Sequence, residues 1–356
     1  MQRHAITGPA FFAIGVLAAL AALELLLRTL PVCKGNYGAE PDPRWPAHHL
    51  IANTSYTYST GWDLEDVRHG RVNNLGYVAP FNFDEGSAGV FVVGDSFIEN
   101  QMNDYPESLQ GSLPALMRRR MPVLGFGTSG ATIAHDLGVA ALIRQHFHPT
   151  WGVVLLTHDN FIGGFAPKPG YFAWAATPSP GITLIPERRH SRLAEWFRDL
   201  SLMAYARSNL RADLSTLFAD KSRPRPDSCT AATLSAADVE LLRYVAAQFP
   251  VQFGLPPSRV ILVFDANRNA IYDASAQRVA EQCPSRDALA LKFLAGAAAQ
   301  SGMNVIDLDS AFRAEHDKSG AHFDYLPVDG HWNALAHAIA AREVARTIND
   351  RTGAPD

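Results

Sequence analysis

Short apolar runs alternate with longer periodic stretches from residue 86 to the end of the chain. Apolar residues in the longer stretches recur every three or four positions, which predicts amphipathic helices, and the short runs bounded by turn residues predict buried strands. This alternation indicates a parallel sheet of about five strands, covered on both faces, in a three-layer α/β domain. The predicted strands are Gly89–Val93, Val123–Phe126, Val153–Leu156, Val260–Val263 and Asn304–Leu308; the predicted helices are Leu109–Arg119, Ala131–Phe147, Ala236–Gln248, Arg286–Gln300 and Ala334–Asn349.

A different pattern opens the chain, because Ile6–Leu27 is largely apolar and shows no polar face before Glu24. About 20 helical residues span the roughly 30 Å hydrocarbon core of a bilayer, so the stretch predicts one transmembrane helix. A cleaved signal peptide is the alternative. However, the small-residue pattern Ala19–Ala21 lies inside the apolar run, and the bulky Val32 precedes Cys33. The pattern therefore favours an uncleaved anchor in residues 1–30.

The chain between the anchor and the periodic region has another character. Residues 31–85 are rich in Pro, Asn, Tyr and Gly and predict a linker with an extended N-terminal segment. The α/β domain then occupies residues 86–356. Between its third and fourth strands lies an insertion at about 161–257, which is long enough to carry structure of its own. We interpret it as a cap over the active site, with a packing insertion as the alternative.

Composition excludes several classes of protein. The 356 residues are 47% hydrophobic and 19% charged with a net charge of −4, which is typical of a folded protein without a nucleic-acid footprint. The run Arg118–Arg120 falls at a predicted helix end. This position favours a role in complementing the helix dipole over a role in phosphate binding. An exported domain permits a disulfide between Cys229 and Cys283, although free thiols are equally compatible with the sequence.

Residues suited to catalysis or ligand binding follow the predicted strands. The carboxyl ends of parallel strands are where ligands bind in α/β sheets. The four segments at these ends or before the last helix are Gly94–Phe97, Gly125–Gly130, Thr157–Asn160 and Asp329–Asn333.

These segments supply the parts of a nucleophilic serine site. A serine hydroxyl needs a base and a third group that orients the base. Ser96 is the candidate nucleophile, His331 the base, and Asp329 projects to the same side of an extended chain as His331. The backbone N–H groups of Ser96 and Gly127 and the side-chain amide of Asn160 are candidate donors to an oxyanion.

Each segment also has an alternative, purely structural interpretation. Ser96 is compatible with a helix N-cap, Asn160 with a capping residue and Asp329–Trp332 with a surface turn. The glycine-rich segment is compatible with a tight turn, and it lacks the complete pattern of a phosphate or dinucleotide loop. The order of the segments at successive strand ends is what favours catalysis.

This order resembles the SGNH/GDSL hydrolase superfamily. Gly94–Ser96 is similar to the family's first block and Gly125–Gly130 to its second, with Gly125 where the family usually has Asn. His158–Phe161 is similar to the third block, with Phe161 where an acidic residue is usual. The resemblance implies that Ser96 is the nucleophile and that Ser96, Gly127 and Asn160 form the oxyanion hole.

The last block departs from the family's usual Asp-x-x-His, because Val328 stands at the usual position of the acid. The Asp-x-His-Trp-Asn form is similar to that of membrane-anchored, alginate-O-acetylation-type members, which implies Asp329 as the acid and leaves Asp324 as a second candidate. The spacing of Glu24 and Arg28 and the segment Arg71–Tyr77 also resemble that branch.

The resemblance implies a flavodoxin-like (SGNH) fold and serine-dependent hydrolysis of an ester on an acylated carbohydrate or lipid through an acyl-Ser96 intermediate. The alternatives are an O-acyltransferase that acts on a surface polysaccharide with the same triad, and a catalytically inactive glycan-binding protein. Neither a metal nor an organic cofactor is expected, and no nucleic-acid partner. The implied location is a single-pass inner-membrane protein with its catalytic domain in the periplasm.

Overall fold

The computed structural model of the protein describes residues 8–35, 37–39, 42–157, 168–175, 181–187, 191, 196–210, 232–326 and 329–352. The chain divides into two compact units. The N-terminal unit comprises Met1–Asn36, Ser55–His69 and Arg189–Arg223, and the sheet unit comprises Tyr37–Thr54, Gly70–Arg188 and Pro224–Asp356.

The bounds of the regular elements within the described residues follow in chain order. The helices are α1 (Gly8–Thr29), α2 (Ser96–Glu99), α3 (Leu109–Leu116), α4 (Ile133–His146), α5 (Ser201–Ala204), α6 (Ala236–Phe253), α7 (Arg268–Tyr272), α8 (Ala274–Gln282), α9 (Arg286–Gln300), α10 (Asp309–Ser319) and α11 (Ala334–Thr352). The strands are β1 (Ser55–Thr60), β2 (Glu65–Arg71), β3 (Ala88–Gly94), β4 (Val123–Gly127), β5 (His148–Leu156), β6 (Phe172–Trp174), β7 (Ile182–Leu184), β8 (Val260–Phe264), β9 (Asn304–Asp307), β10 (Asp324–Tyr325) and β11 (Asp329–Trp332).

A five-stranded parallel sheet forms the centre of the sheet unit, in the order β4-β3-β5-β8-β9. Successive side chains of a strand point to opposite faces, and both faces are buried here. In β3, Val90 and Val92 pack in one apolar cluster, whereas Phe91 and Val93 pack in the other. Helices α4, α6 and α9 contribute to the cluster that contains Phe91, and α3, α10 and α11 to the other. The predicted three-layer α/β fold is confirmed.

Helix α6 forms part of the predicted insertion at 161–257. Its residues Leu242, Phe249 and Phe253 are fully buried in the same apolar cluster as helix α4. The helix therefore belongs to a layer of the α/β domain and not to a cap. The short β6–β7 hairpin is also described, whereas much of the remaining insertion lies outside the described residues.

The N-terminal unit is built around the end of α1. The Glu24 carboxylate accepts hydrogen bonds from the backbone nitrogens of Ser201 (3.1 Å) and Leu202 (2.8 Å), which begin α5. Leu27 is buried in an apolar cluster with Val32 and Ala204. The last turn of α1 is therefore packed as part of a folded unit.

The segment 31–85 contains more regular structure than the predicted linker. Strands β1 and β2 form a two-stranded sheet on their own. Beyond them, the Asn73 side chain accepts hydrogen bonds from the backbone nitrogens of Leu75 and Tyr77, and Gly76 has a φ of +83°. This is the turn that the Asn and Gly residues predict, because an Asn side chain stabilises a turn locally and glycine tolerates positive φ.

Candidate functional site

Ser96 lies immediately after β3, at the carboxyl edge of the sheet, and is the first residue of α2. The preceding Asp95 caps this helix: its Oδ1 accepts from the backbone nitrogen of Phe97 at 3.0 Å. Its Oδ2 accepts from the Thr157 hydroxyl at 2.8 Å, which joins the ends of β3 and β5. Asp95 thus fixes the turn that presents the Ser96 hydroxyl.

Three predicted residues form a continuous hydrogen-bonded chain. The distance from His331 Nε2 to Ser96 Oγ is 2.8 Å. The distance from His331 Nδ1 to Asp329 Oδ1 is 2.5 Å. This is the geometry in which an imidazole accepts the proton of a serine hydroxyl while a carboxylate orients its other nitrogen. The structure brings the three side chains together, and their catalytic roles stay a prediction.

The short strand β11 holds His331 through the residue that follows it. Trp332 is fully buried, and its Nε1–H donates to Asp265 Oδ1 at 2.9 Å. Its carbonyl accepts from the Asn103 side chain at 2.9 Å. Because Trp332 is fixed on both sides, the adjoining His331 backbone has little freedom to swing away from Ser96.

Asp324, the second candidate for the acid, lies elsewhere. It is buried, and its Oδ2 is 3.7 Å from Arg268 Nε and accepts from the Tyr272 hydroxyl at 3.2 Å. The carboxylate that contacts His331 is that of Asp329. The geometry therefore favours Asp329 over Asp324 as the orienting acid.

Gly127 and Gly130 occupy different environments. A Cβ on Gly127 would lie 1.9 Å from the backbone nitrogen of Glu99, so this glycine permits the close approach of β4 to α2. Gly130 has a φ of +72° and lines the same cleft as Ser96, whereas Gly127 does not line it. The geometry favours Gly130 over Gly127 as the glycine whose backbone N–H faces a substrate.

Glu99 is a functional candidate that the sequence did not reveal. It is buried at the end of α2, where its carboxylate accepts from the Ser129 backbone nitrogen at 2.8 Å and from the Ser129 hydroxyl at 2.9 Å. Burial raises the pKa of the Glu99 carboxyl above its ordinary value. The side chain ties the glycine-rich loop to the helix that carries Ser96. In the sequence, the one feature that points to Glu99 is its position three residues after Ser96.

The same loop is held from the other side by residues of the insertion. The Lys168 ammonium donates to the Gly130 carbonyl at 3.0 Å, and the Tyr171 hydroxyl donates to the Ser129 carbonyl at 2.7 Å. Both carbonyls are thereby occupied by donors. The predicted third oxyanion donor, Asn160, lies outside the described residues.

A cleft of about 1040 Å³ opens over Ser96 and His331. One wall combines Phe97 with Arg268, whose guanidinium lies over the Phe97 ring at 5.3 Å from its centroid. Another wall is helix α8, which buries none of its residues and turns Ala276 and Val279 towards the cleft. The cleft has the volume of a small-molecule site. Within the described residues, no group of His, Cys, Asp and Glu side chains is arranged to hold a metal ion.

Part of the chain matches a known protein family. Residues 228–356 match the model described as the SGNH hydrolase-like domain of acetyltransferase AlgX. The match includes His331 and Asp329 but not Ser96, and it agrees with the resemblance indicated by the sequence blocks. A sequence comparison with curated proteins finds no match.

Solved structures with similar folds include three hydrolytic proteins. A G-D-S-L family lipolytic protein from Veillonella parvula has 11% identity and a TM-score of 0.35, over 73% of this chain and 97% of that one. A lipase/acylhydrolase from Enterococcus faecalis has 14% identity and a TM-score of 0.39, over 74% and 96%. A catalytic mutant of an acetylxylan esterase from Geobacillus stearothermophilus has 11% identity and a TM-score of 0.36, over 75% and 95%. Likenesses this weak carry no argument about function.

Proposed function

We propose that this chain is an SGNH-superfamily protein related to AlgX, and that it is a serine-dependent esterase or acyltransferase that acts through an acyl-Ser96 intermediate. The observation that carries the proposal is the hydrogen-bonded chain from Ser96 through His331 to Asp329 at the floor of the cleft. The family match supports acyl ester chemistry in general, and the assignment of residues is our own inference.

The first half-reaction forms the acyl-enzyme. His331 Nε2 accepts the Ser96 proton as Ser96 Oγ attacks the carbonyl carbon of an ester, and Asp329 stabilises the resulting imidazolium. The oxyanion is held by the backbone N–H groups of Ser96 and Gly130, with Asn160 as a predicted third donor. The C–O bond to the leaving alcohol then breaks, and the alcohol takes the proton from His331.

The second half-reaction decides between hydrolysis and transfer. His331 removes a proton from an incoming water or hydroxyl, whose oxygen attacks the acyl carbon. The bond between the acyl carbon and Ser96 Oγ then breaks, and Ser96 takes the proton back from His331. Water yields a free acid, whereas an alcohol yields a new ester. The match to a domain of an acetyltransferase supports an acceptor hydroxyl as the second candidate. The resemblance to alginate-O-acetylation-type members implies that this hydroxyl belongs to a carbohydrate.

The test uses an active-site probe. We expect a fluorophosphonate to label the wild-type chain and Ser319→Ala, an exposed serine of α10, but not Ser96→Ala. We expect the same pattern for hydrolysis of p-nitrophenyl acetate. Equal labelling of Ser96→Ala would remove the proposal, and an unlabelled wild-type protein would favour the inactive glycan-binding alternative.

A second measurement separates hydrolysis from transfer. The acyl-enzyme is formed with p-nitrophenyl acetate, and oligosaccharide acceptors are added while free acetate and the acetylated acceptor are both quantified by mass spectrometry. A transferase moves the acetyl group to the acceptor in preference to water. Release of acetate alone, at a rate that does not depend on acceptor, would assign the hydrolase.

We also propose that α1 is a retained membrane anchor and that the sheet unit faces the periplasm. Ala10–Thr29 is long and apolar enough to cross a membrane, and only 6% of it is buried. A signal sequence passes the same test of length and composition. The contacts of Glu24 with the start of α5 support retention, since cleavage after α1 would remove them.

Two further features support this location. Cys283 is disulfide-bonded, and disulfides persist mainly in oxidising compartments outside the cytoplasm. Trp62 and Trp196 of the N-terminal unit are exposed by 74% and 58%, and tryptophan is enriched where protein meets the membrane–water interface. Both observations agree with an anchored, extracytoplasmic protein.

A further inference from the structure

A second cleft opens where the parallel strands of the central sheet begin, at the end of the sheet opposite to Ser96. It has a volume of about 800 Å³ and is lined by residues at the beginnings of strands, including Ala88 of β3 and Thr150 of β5. Ser96 follows the carboxyl end of β3, so the two clefts lie at opposite edges of the same sheet. The second cleft is therefore separate from the proposed active site.

Arginine dominates this second cleft. Five arginines from three parts of the chain line it, and among the residues that the structure describes no aspartate or glutamate does. Within the described residues, none of the five forms an ion pair with a carboxylate, although the whole chain carries a net charge of −4. The five are Arg118, Arg119, Arg120, Arg259 and Arg351.

The helix-end interpretation of Arg118–Arg120 does not hold in the structure. Helix α3 ends at Leu116, and Met117 already has an extended backbone, so the three arginines lie beyond the helix. The Asn349 side chain accepts from the Arg118 backbone nitrogen at 2.8 Å and donates to the Leu116 carbonyl at 3.1 Å. This clamp fixes the arginine run against α11.

The other two arginines are held in place by neighbours that leave their charge uncompensated. The Arg259 guanidinium stacks over the Trp151 ring, 4.8 Å from its centroid. Arg351 Nε donates to Asn304 Oδ1 at 3.2 Å, which leaves its terminal nitrogens to bind another acceptor. Side chains that are already ordered lose less conformational entropy when a ligand binds.

We propose that this arginine cleft binds a ligand with two or more adjacent oxyanion groups, either phosphates or carboxylates. A guanidinium group donates two hydrogen bonds to the oxygens of one oxyanion group. Five arginines that form no ion pair in the described part of the chain therefore favour a multivalent anion over a singly charged one. Trp151 is covered by Arg259 and offers no free face on which a nucleobase could stack. The ligand is thus recognised by its charges.

Calorimetric titration of the full chain in a non-ionic detergent tests the proposal, with inorganic pyrophosphate and citrate as the two probes. Arg119→Gln and Arg351→Gln each remove one cleft arginine from an exposed position, and Arg342→Gln on the same helix α11 is the matched control. We expect each cleft variant to weaken binding by about tenfold or more, since it loses hydrogen bonds in which both the donor and the acceptor are charged. Added salt should weaken binding further.

The preferred probe identifies the ligand chemistry: tighter binding of pyrophosphate assigns phosphate groups, and tighter binding of citrate assigns carboxylates. The proposal fails if neither probe binds, if the cleft variants bind as tightly as wild type, or if Arg342→Gln weakens binding as much as they do. Thermal unfolding of each variant, measured without ligand, shows whether the protein is folded before it is titrated.

Discussion

Asp329 Oδ1 lies 2.5 Å from His331 Nδ1 and 3.0 Å from the backbone nitrogen of the same histidine. One carboxylate oxygen thus holds both the ring and the main chain of His331. This double contact fixes the imidazole tautomer in which Nε2 is free to accept the Ser96 proton. An acid two residues before the histidine can therefore orient the imidazole in place of one three residues before it.

We expect Asp329→Asn to lower kcat for p-nitrophenyl acetate by about 10³–10⁴, because an amide orients the imidazole in the wrong tautomer. Asp324→Asn is the matched comparison, since it alters a buried carboxylate that contacts Arg268 and not His331. It should retain kcat to within about tenfold and instead lower the free energy of unfolding by about 1–3 kcal/mol. The reverse pattern of rates would assign Asp324 as the acid.

Gly127→Ala and Gly130→Ala should have different consequences. The new Cβ at residue 127 would clash with backbone atoms of α2, which cannot move aside as the end of a flexible side chain can. We therefore expect this variant to lose more than about 3 kcal/mol of folding stability. At residue 130 the nearest atom is the end of the Lys168 side chain, at 3.1 Å, and an alanine at this positive φ costs about 1–2 kcal/mol. That variant should fold but turn over more slowly.

Denaturant unfolding and ester hydrolysis measured on the same samples separate these two effects. A Gly127→Ala protein with wild-type stability would contradict the packing role assigned to Gly127. A Gly130→Ala protein with a wild-type rate would remove Gly130 from the proposed oxyanion hole.

Much of the fold was predictable because its strands are continuous apolar runs. Strands such as β3 and β8 are buried on both faces, so nearly every residue in them is apolar and their positions stand out from the polar loops. The end of α3 was less clear. The apolar spacing continues through Met117, which is buried, but its backbone is already extended.

Features assembled from distant parts of the chain were harder to predict. Ser96 and His331 carry recognisable local patterns, and their order along the chain indicates a site. Glycine gives no such guidance, because close packing at Gly127 and a positive φ at Gly130 both require it. The arginine cleft has no local pattern beyond Arg118–Arg120, since only folding brings the other arginines next to them.

Glu99 is expected to act by positioning the loop that carries Gly130. Glu99→Ala removes the acceptor for both the backbone and the hydroxyl of Ser129, so we expect kcat to fall at least about tenfold. Glu99→Gln should recover most of the rate, because its amide oxygen still accepts from the Ser129 nitrogen. The Ser129 hydroxyl and the Gln101 side-chain amide, which both donate to Glu99 Oε1 in the wild type, can each turn to accept from the new amide nitrogen. A merely structural role would lower stability in Glu99→Ala without changing kcat of the folded fraction.

Asp136 should make stability depend on pH. It is fully buried in the first turn of α4, and neither of its carboxyl oxygens has a hydrogen-bond partner in the described part of the chain. Burial, and then the charge of Asp95, raise the pKa of Asp136 well above its ordinary value of 3.8. The folded state therefore binds a proton that the unfolded chain releases above about pH 4. This contribution favours folding below pH 4 and is lost as the pH rises through the folded-state pKa.

Asp136→Asn cannot titrate, so the difference in Tm between this variant and wild type should shift in favour of the variant between pH 4 and pH 8. Thermal unfolding at both pH values measures that difference, and Asp317→Asn, at an exposed position of α10, should show no such shift. A pH-independent difference for Asp136→Asn would mean that Asp136 is ionised in the folded protein.

The contacts of Glu24 make a final prediction about the N-terminal unit. If α1 is retained, the full-length chain should stay in the membrane fraction after carbonate extraction, and its intact mass should include α1.

Glu24→Ala should remain in the membrane, because the substitution leaves the helix at least as apolar. It removes the acceptor for the backbone nitrogens of Ser201 and Leu202, so α5 should open more often. Trypsin should then cut faster at Arg198 or Arg207 in Glu24→Ala than in wild type, and Glu65→Ala, at an exposed site of the same unit, should be cut at the wild-type rate. Recovery of a chain that begins after Thr29 would instead identify α1 as a cleaved signal.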